Sequence, residues 1–261
     1  MAALNLAVRG VAPPDGRSRR GRLLLEGGAT TTFHVACYDA ARTEIGVAIM
    51  PAGQERLESW CARHDVREAL VGGFFRRPDG LPLGEVRTHG VVRDHVAFAA
   101  PWHAVRACLH VQGGAARIAR RDELHAAPRG DVLQAGPLLV AGGEVAYDPA
   151  ADAEGFRAAS HQFDTDITEG RHPRAALGLS ATRVVAVAVD GRSRVDAGLT
   201  LLELARLMVA MRCEQAINLD GGGSASLVSG SYLRNAPRRG YDQVEPGGRP
   251  LSTALVFRPL R

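Results

Sequence analysis

The hydrophobic pattern is clearest in the C-terminal third of the chain. Residues 184–189 form a continuous apolar and β-branched run, which is typical of a strand buried on both faces. Thr200 and Glu203 have the spacing of a helix-capping box, and apolar residues then recur at helical intervals through Arg212. A second apolar run follows at 216–219. We interpret this order as strand, helix and parallel strand, joined by a right-handed crossover.

Shorter patterns predict further strands and one more helix. The alternating or apolar runs indicate strands, the 3.6-residue spacing indicates a helix, and the Pro-Gly segments indicate turns. The predicted elements are a loose loop at 10–21, strands at 31–35, 45–50 and 69–75, a helix at 54–64, and hairpins within 85–148. We therefore predict an α/β (α+β) fold, a mixed β-sheet with packed helices and a C-terminal parallel βαβ unit. No composition break divides the chain, so we expect a single domain over 1–261.

Composition narrows the function classes. All 32 basic residues are arginines, which excludes Schiff-base and lysine-base chemistry. The net charge of +4 is modest, the arginines are scattered and aromatic residues are few, so we expect no nucleic-acid partner. No apolar stretch has the length of a membrane span. The N-terminal region lacks a signal-peptide pattern, so we expect a cytoplasmic protein, with export left open. The sequence leaves the oligomeric state open.

The cysteines do not form a motif. Cys37, Cys61, Cys108 and Cys213 lie far apart, without zinc-finger spacing or the density of a disulfide scaffold. We therefore expect four buried free thiols in a reducing compartment.

The segment at 216–227 carries the strongest chemical signal. An apolar run leads through Asn218 and Asp220 into Gly221, Gly222 and Gly223. Consecutive glycines are costly in conformational entropy and suit backbone that approaches a ligand or takes a positive φ. A tight turn between strands is the simpler alternative.

Asp190 and Asp220 are the leading candidates for catalysis. Each follows an apolar run that we interpret as a strand, and the two strands run in the same direction. The carboxylates should therefore share one edge of the sheet, where α/β proteins bind ligands. Such a pair can serve as acid and base, or as nucleophile and acid, on a glycosidic bond. The alternatives are oxygen ligands for a metal ion or two Asp-Gly turns that bond their own backbone.

Asp164 and Asp166 are candidate metal ligands. Their spacing is similar to the start of a calcium loop, although the glycine and distal glutamate of such a loop do not follow. Together with Asp190 and Asp220 they offer enough oxygen atoms for Ca²⁺ or Mg²⁺. Solvated loop carboxylates are the alternative.

Five blocks of the sequence, read together, resemble the phosphodiester glycosidase family over about residues 65–258. The blocks are 71–75, 136–140, 172–178, 190–193 and 218–224, and an Asn-x-Pro region at 235–237 fits as well. Two positions depart from the family pattern, since Val71 replaces an asparagine and Ala175 replaces a threonine.

The resemblance implies an α/β fold and a pocket lined by these blocks. It implies catalytic roles for Asp190 and Asp220. It further implies substrate-binding roles for Gly73, Phe74, His172, Arg174, Arg192, Asn218, Gly221, Gly222, Gly223, Ser224 and Asn235.

The function implied is hydrolysis of a sugar 1-phosphodiester, or a related bond at the anomeric carbon. Arg174 and Arg192 would hold the phosphate, because a guanidinium matches two phosphate oxygens. Backbone N–H groups at 221–223 would hold phosphate or sugar oxygens. Two alternatives remain, a non-catalytic sugar-phosphate binding protein and a glycoside hydrolase or transglycosylase that acts on non-phosphorylated oligosaccharides.

Overall fold

The computed structural model describes residues 18–50, 55–77, 79–158 and 167–260. Within them the chain is mostly β-sheet, with two α-helices. The strands are β1 (Arg19–Leu24), β2 (Thr30–Asp39), β3 (Thr43–Ile49), β4 (Ala69–Val71), β5 (Val86–Thr88), β6 (Val91–Val92), β7 (Ala107–Gln112), β8 (Ala115–Arg120), β9 (Asp131–Gln134), β10 (Leu138–Ala141), β11 (Glu144–Val145), β12 (Arg174–Leu179), β13 (Arg183–Val189), β14 (Gln215–Asn218), β15 (Leu227–Ser229), β16 (Tyr232–Leu233), β17 (Arg238–Gly240), β18 (Gln243–Val244) and β19 (Thr253–Pro259). The helices are α1 (Leu57–Arg63) and α2 (Leu201–Ala210).

Antiparallel ladders join the described strands into four sheets. The seven-stranded sheet has the order β1-β2-β13-β12-β14-β10-β11. One five-stranded sheet has the order β16-β15-β4-β19-β3, and a second has the order β6-β5-β9-β7-β8. The hairpin β17-β18 forms a separate two-stranded sheet.

The prediction of a parallel βαβ unit is wrong. The strand β12 lies between β13 and β14 and pairs antiparallel with both of them. The hairpin from β12 to β13 fills the position that a simple crossover would have given to β14. Because both flanking strands oppose β12, they still run in the same direction, and their carboxyl ends meet at one edge of the sheet.

The seven-stranded sheet separates two apolar cores. Alternate residues of β13 from Val185 to Val189 pack with Leu204 of α2. The intervening residues, from Val184 to Ala188, pack in the larger core with the sheet that contains β4 and β19. Side chains alternate across a strand, so the continuous apolar run follows from burial on both faces, as predicted.

Other elements depart from the sequence pattern mainly at their boundaries. The helix predicted at 54–64 is shorter, since α1 begins at Leu57 and ends at Arg63. The strand predicted at 69–75 ends at Val71, although the Gly72 N–H still donates to the Thr253 carbonyl of β19 at 3.0 Å. The loop predicted at 10–21 is already strand β1 from Arg19, and its residues 10–17 lie outside the described part of the chain.

All four cysteines are buried free thiols, as expected from their spacing. Burial raises the pKa of Cys61 and of Cys213 to about 12 in each case. These side chains therefore pack as small apolar groups.

Helix α2 begins at the predicted capping box. The Thr200 hydroxyl accepts a hydrogen bond from the Glu203 N–H at 3.1 Å, and the Glu203 carboxylate accepts one from the Thr200 N–H at 2.9 Å. Arg171 also pairs with Glu203. Burial opposes ionisation of Glu203, but the Arg171 guanidinium and the hydrogen bonds with Thr200 together outweigh it and lower the pKa of this carboxyl group.

Removing the cap should destabilise the protein without reaching the site. We expect Thr200→Ala to lower the free energy of unfolding by about 1 kcal/mol, because an N–H of the first turn loses its acceptor. Urea denaturation measures this loss. Thr182→Ala, on the exposed turn after β12, is the matched control and should change stability by less than about 0.5 kcal/mol. Equal losses in the two variants would contradict the role of the cap.

Candidate functional site

A cavity of about 740 Å³ opens at the edge of the seven-stranded sheet where β14 ends. It combines an apolar group of side chains with many arginines. Its described lining residues are Phe74, Phe75, Arg76, Arg77, Leu83, Val96, Ile167, His172, Arg174, Arg192, Asn218, Leu219, Asp220, Gly221, Gly222, Arg239 and Arg249.

Asp220 is held at this edge by hydrogen bonds on both sides. The Leu219 N–H donates to the Ala175 carbonyl at 2.9 Å, and the Asp220 N–H donates to the Gly72 carbonyl at 3.1 Å. The first bond continues the β12-β14 register, in which Ala176 pairs with Asn218. Arg174 therefore lies opposite Asp220. The Asp220 side chain is half-buried, and one of its oxygens accepts the Gly221 N–H at 2.9 Å.

The glycines after Asp220 form a tight turn instead of an open cradle. The Gly221 N–H is bonded to Asp220, and the Gly222 N–H donates to the Pro173 carbonyl at 3.0 Å. Gly222 takes a φ of 59°, and a Cβ there would lie 3.0 Å from Arg192 Nη1. Gly222 thus allows a guanidinium to approach the backbone closely. The expectation that the N–H groups of Gly221 and Gly222 are presented to a ligand is not met in this geometry.

Arg174 is a buried cation at the start of β12. Only 3% of its surface is exposed. Its guanidinium donates to the carbonyls of Leu199 at 3.0 Å, Ile167 at 3.2 Å and Gly170 at 3.4 Å. Carbonyl acceptors fix the orientation of a guanidinium and carry no formal charge themselves. The position suits a fixed contact with an anion.

Arg192 is oriented in a similar way. Its Nη1 donates to the carbonyls of Arg239 at 2.9 Å and Arg238 at 3.2 Å. Its Nε lies 3.4 Å from His172 Nδ1, which brings the predicted His172 into the same wall. Arg192 takes a φ of 57°, an uncommon conformation for a side chain of this size. Such local strain is often found at functional sites.

Asn218 is a buried residue among those that line the cavity. Its Nδ2 donates to the Gly136 carbonyl at 2.9 Å, and 1% of the residue is exposed. Within the described residues its Oδ1 has no hydrogen-bond partner, and less than 1 Å² of this atom is accessible. Buried polar atoms are rarely left unpaired, so we consider this oxygen a candidate acceptor for a ligand that displaces the groups covering it.

Phe74 forms an apolar wall of the cavity and packs against two phenylalanines that are not among the described lining residues. It meets Phe98 and Phe156 edge-on, at centroid distances of 6.4 and 6.0 Å. The Arg106 guanidinium lies 4.2 Å from the centroids of both Phe98 and Phe156. Burial lowers the pKa of Arg106 to about 10, which still leaves it charged at neutral pH. Gly73, before Phe74, donates its N–H to the Thr253 hydroxyl at 3.0 Å.

Asp190 shares the sheet edge with Asp220 but does not line the cavity. Its carboxylate is buried and contacts His34 Nε2 at 3.0 Å and the Ala236 N–H at 2.7 Å. Asp190 thus ties the end of β13 to the segment that leads into Arg238 and Arg239. The strand directions bring the two aspartates to one edge, as predicted, but the carboxylate of Asp190 is turned into the protein.

Four other predicted residues also lie behind the lining, and one of them is Gly73, described above with Phe74. Asn235 accepts the Leu227 N–H at 2.9 Å and donates to the Ala225 carbonyl at 2.7 Å, so it holds the segment that follows the glycine turn. Gly223 and Ser224 belong to a buried 3₁₀ turn. These contacts support the cavity from outside it.

The two departures from the family pattern do not reach the cavity. Val71 and Ala175 are fully buried in the larger apolar core, and neither is among the described lining residues. The polar groups lost at these positions are therefore not lost from the cavity surface.

Sequence reasoning missed four arginines of the lining, Arg76, Arg77, Arg239 and Arg249. Arg76 and Arg77 directly follow the block at 71–75, and Arg239 follows the Asn-x-Pro region, which is the signal that could have found them. With these four, six arginines and a single carboxylate, that of Asp220, are present among the described lining residues. The lining thus favours an anionic ligand.

The described residues contain no group of three or more metal-ligating side chains. Asp164 and Asp166 lie outside the described residues, so their metal-binding role stays a prediction. Asp190, offered as a third ligand, is already engaged by His34 and Ala236. Across the ranges that the structure describes, no helix has the length and apolar character needed to cross a bilayer.

Comparisons with known proteins support the family and the fold. The model of the phosphodiester glycosidase family matches residues 64–258. The catalytic domain of zebrafish N-acetylglucosamine-1-phosphodiester alpha-N-acetylglucosaminidase, auto-inhibited by its pro-peptide, is similar in fold. Its TM-score is 0.69 and its identity 18%, over 96% of this chain and 85% of that one.

Two further proteins are similar to this chain. A hypothetical protein from Synechocystis has a TM-score of 0.60 and 17% identity, over 97% of this chain and 65% of its own. An uncharacterised SPbeta prophage-derived protein of Bacillus subtilis is 40% identical over 67 residues, 25% of this chain. The chain spans only 10% of the length of that prophage protein.

The two aspartates should respond differently to truncation. We expect Asp190→Ala to lower the free energy of unfolding by about 1–3 kcal/mol, because the buried His34 ring and the Ala236 N–H both lose their partner. Asp220 is more exposed than Asp190, so Asp220→Ala should cost less than about 1 kcal/mol. Chemical denaturation of the two variants tests this difference, and the reverse order of losses would contradict the assignment.

Proposed function

This chain belongs to the phosphodiester glycosidase family, and from that premise we propose that it hydrolyses the bond between the anomeric carbon of a sugar and a phosphate. The observation that carries the proposal is the charge of the cavity, six arginines around one carboxylate among its described lining residues. A neutral oligosaccharide gives no reason for this excess of positive charge, whereas a phosphodiester does.

Arg174 and Arg192 hold the phosphate in this proposal. Main-chain carbonyls already fix both guanidinium groups, so little side-chain entropy is lost when an anion binds. Arg174 lies opposite Asp220 across the β12-β14 register. The phosphate would therefore sit next to the carboxylate that acts on the sugar.

Asp220 is the group that acts on the reacting atoms. The oxygen of water bonds to the anomeric carbon, the bond from that carbon to the phosphate oxygen breaks, and the phosphate leaves with the electron pair. Asp220 either accepts the proton of the attacking water, or it first attacks the carbon itself as the phosphate leaves, and water then breaks the bond between the carbon and Asp220. A phosphate is a weak base, so its departure needs little protonation. The anomeric configuration of the first-formed product distinguishes the two routes.

The sugar occupies the space between Asn218 and the aromatic wall. Asn218 Oδ1 accepts a hydrogen bond from a hydroxyl or amide N–H of the sugar, and Phe74 and Phe75 pack against its apolar face. Asp190, buried against His34 and Ala236, is a positioning residue that orients the wall carrying Arg192.

A non-catalytic sugar-phosphate binding protein would use the same arginines. The argument for it was the lost polarity at Val71 and Ala175, and both side chains lie in the apolar core. Turnover distinguishes the two functions, since a binding protein releases no product. A panel of sugar 1-phosphodiesters and matching neutral glycosides also tests the oligosaccharide alternative.

Removing the charge of Asp220 should abolish turnover. We expect Asp220→Asn to lower kcat on a sugar 1-phosphodiester by at least about a hundredfold, because the amide cannot accept the proton or attack carbon. Steady-state kinetics with folded protein measures the loss. The exposed Asp94→Asn is the matched control and should retain full activity. Activity of Asp220→Asn within a few-fold of wild type would remove Asp220 from the reaction.

Arg174 should distinguish charged from neutral substrates. We expect Arg174→Ala to lower kcat/KM about ten- to a hundredfold on a phosphodiester and far less on a neutral glycoside, because only the former loses a charge-assisted contact. Arg174→Lys should rescue this loss in part, since an ammonium cannot form the two-pronged contact. Kinetics on paired substrates measures the ratio, which is insensitive to a partial loss of folded enzyme. Equal losses on both substrates would withdraw the phosphate assignment.

A further inference from the structure

Positive charge continues beyond Asp220 along the glycine turn. Arg192 lies beside Gly222, as described above. One residue further on, a Cβ on Gly223 would lie 3.3 Å from Arg249 Nη2 and 3.4 Å from the Cα of Arg239. We call Arg239 and Arg249 the outer arginines. Both line the cavity, at the end of the turn that lies away from Asp220.

The backbone that carries the outer arginines is held in place. The Arg249 N–H donates to the Gly223 carbonyl at 2.9 Å. The Arg239 carbonyl accepts Arg192 Nη1 at 2.9 Å, and the Asp242 N–H of the same hairpin donates to the Arg192 carbonyl at 2.7 Å. These bonds tie both segments to the wall that contains Arg192. The fold therefore fixes where the backbone of the outer arginines lies relative to Arg192.

A single phosphodiester does not account for all of this charge. It carries one negative charge, and the proposed function already places it on Arg174, at the start of the strand beside Asp220, and on Arg192, next to Gly222. Further along the glycine turn, away from Asp220, the outer arginines lie beside Gly223. We therefore expect them to face the part of the substrate beyond the scissile phosphate. In the described part of the chain no ion pair of either outer arginine is present, whereas Arg76 on the same cavity pairs with Asp79.

We propose that the leaving group of the substrate carries a second phosphate, and that the outer arginines bind it. This inference rests on the proposed function. The second phosphate could belong to the next unit of a chain of sugar or polyol phosphates, or to a diphosphate joined directly to the sugar. In both cases Arg239 and Arg249 are specificity-determining residues for the leaving group, and Asp220 acts on the sugar as before.

The test compares three substrates that share one sugar. The first has a glycerol phosphate leaving group, the second has the same leaving group with a further phosphate on the glycerol, and the third has a methyl diphosphate. We expect the wild type to prefer one of the two-phosphate substrates over the first by about tenfold or more in kcat/KM. Whether the second or third is preferred identifies the source of the phosphate. The preference should shrink as salt is added, because exposed charges are screened.

Variants test whether the outer arginines cause the preference for a substrate with two phosphates. The double variant Arg239→Gln, Arg249→Gln should reduce the ratio of two-phosphate to one-phosphate kcat/KM to near one. Arg206→Gln, on the exposed face of α2, removes one positive charge outside the cavity lining and should keep the wild-type ratio. A wild type that turns over all three substrates without preference would overturn the inference and leave the proposed function intact. The same holds if the double variant keeps the wild-type ratio.

Binding of the isolated leaving groups tests the outer arginines without turnover. Calorimetry should give a lower Kd for glycerol 1,3-bisphosphate or methyl diphosphate than for glycerol 1-phosphate, and the double variant should lose this difference. If no substrate is turned over but this difference is found, the proposed hydrolysis fails and the second-phosphate site stands. Equal affinities for the three compounds would overturn the site.

Discussion

The antiparallel pairing of β12 with both β13 and β14 is the constraint on which the site depends. It places the first residue of one strand between the last residues of its two neighbours. Arg174 therefore enters the sheet at the edge where Asp190 and Asp220 leave it. This pairing brings the Arg174 cation and the Asp220 carboxylate to the same edge of the sheet. The loops contribute further residues to the site but do not determine this arrangement.

Main-chain carbonyls determine the orientation of the Arg174 and Arg192 guanidinium groups. Arg174 donates to carbonyls of the loops at 167–170 and 199, and Arg192 donates to carbonyls of the hairpin at 238–239. A carbonyl oxygen orients a guanidinium but does not cancel its charge. The glycine turn also helps to place the Arg192 guanidinium, because a side chain at Gly222 would crowd it. The cavity thus gains oriented positive charge from backbone geometry.

The sequence predicted the parts of the fold that depend on local pattern. The capping box at Thr200 and the doubly buried run at 184–189 are confirmed, because neighbouring residues determine them. The order β13-β12-β14 could not be predicted, since apolar runs do not say which strands pair. The prediction that Asp190 and Asp220 share one edge of the sheet is correct despite the wrong strand order, because it depends only on the directions of β13 and β14. Arg249 adjoins none of the sequence blocks, whereas Arg239 follows the Asn-x-Pro region. The sequence alone does not say that the folded glycine turn brings the two outer arginines together.

The two Asp-Gly pairs explain why a shared edge does not imply a shared role. Asp190 is followed by Gly191 and then by Arg192 at positive φ, and its carboxylate receives the Ala236 N–H and contacts His34. Those contacts use its oxygens inside the protein. The Asp220 carboxylate accepts the Gly221 N–H and stays half-buried at the cavity surface. A carboxylate that holds two segments together cannot also approach a sugar without breaking that link. The positioning role that we propose for Asp190 and the chemical role that we propose for Asp220 follow from this difference.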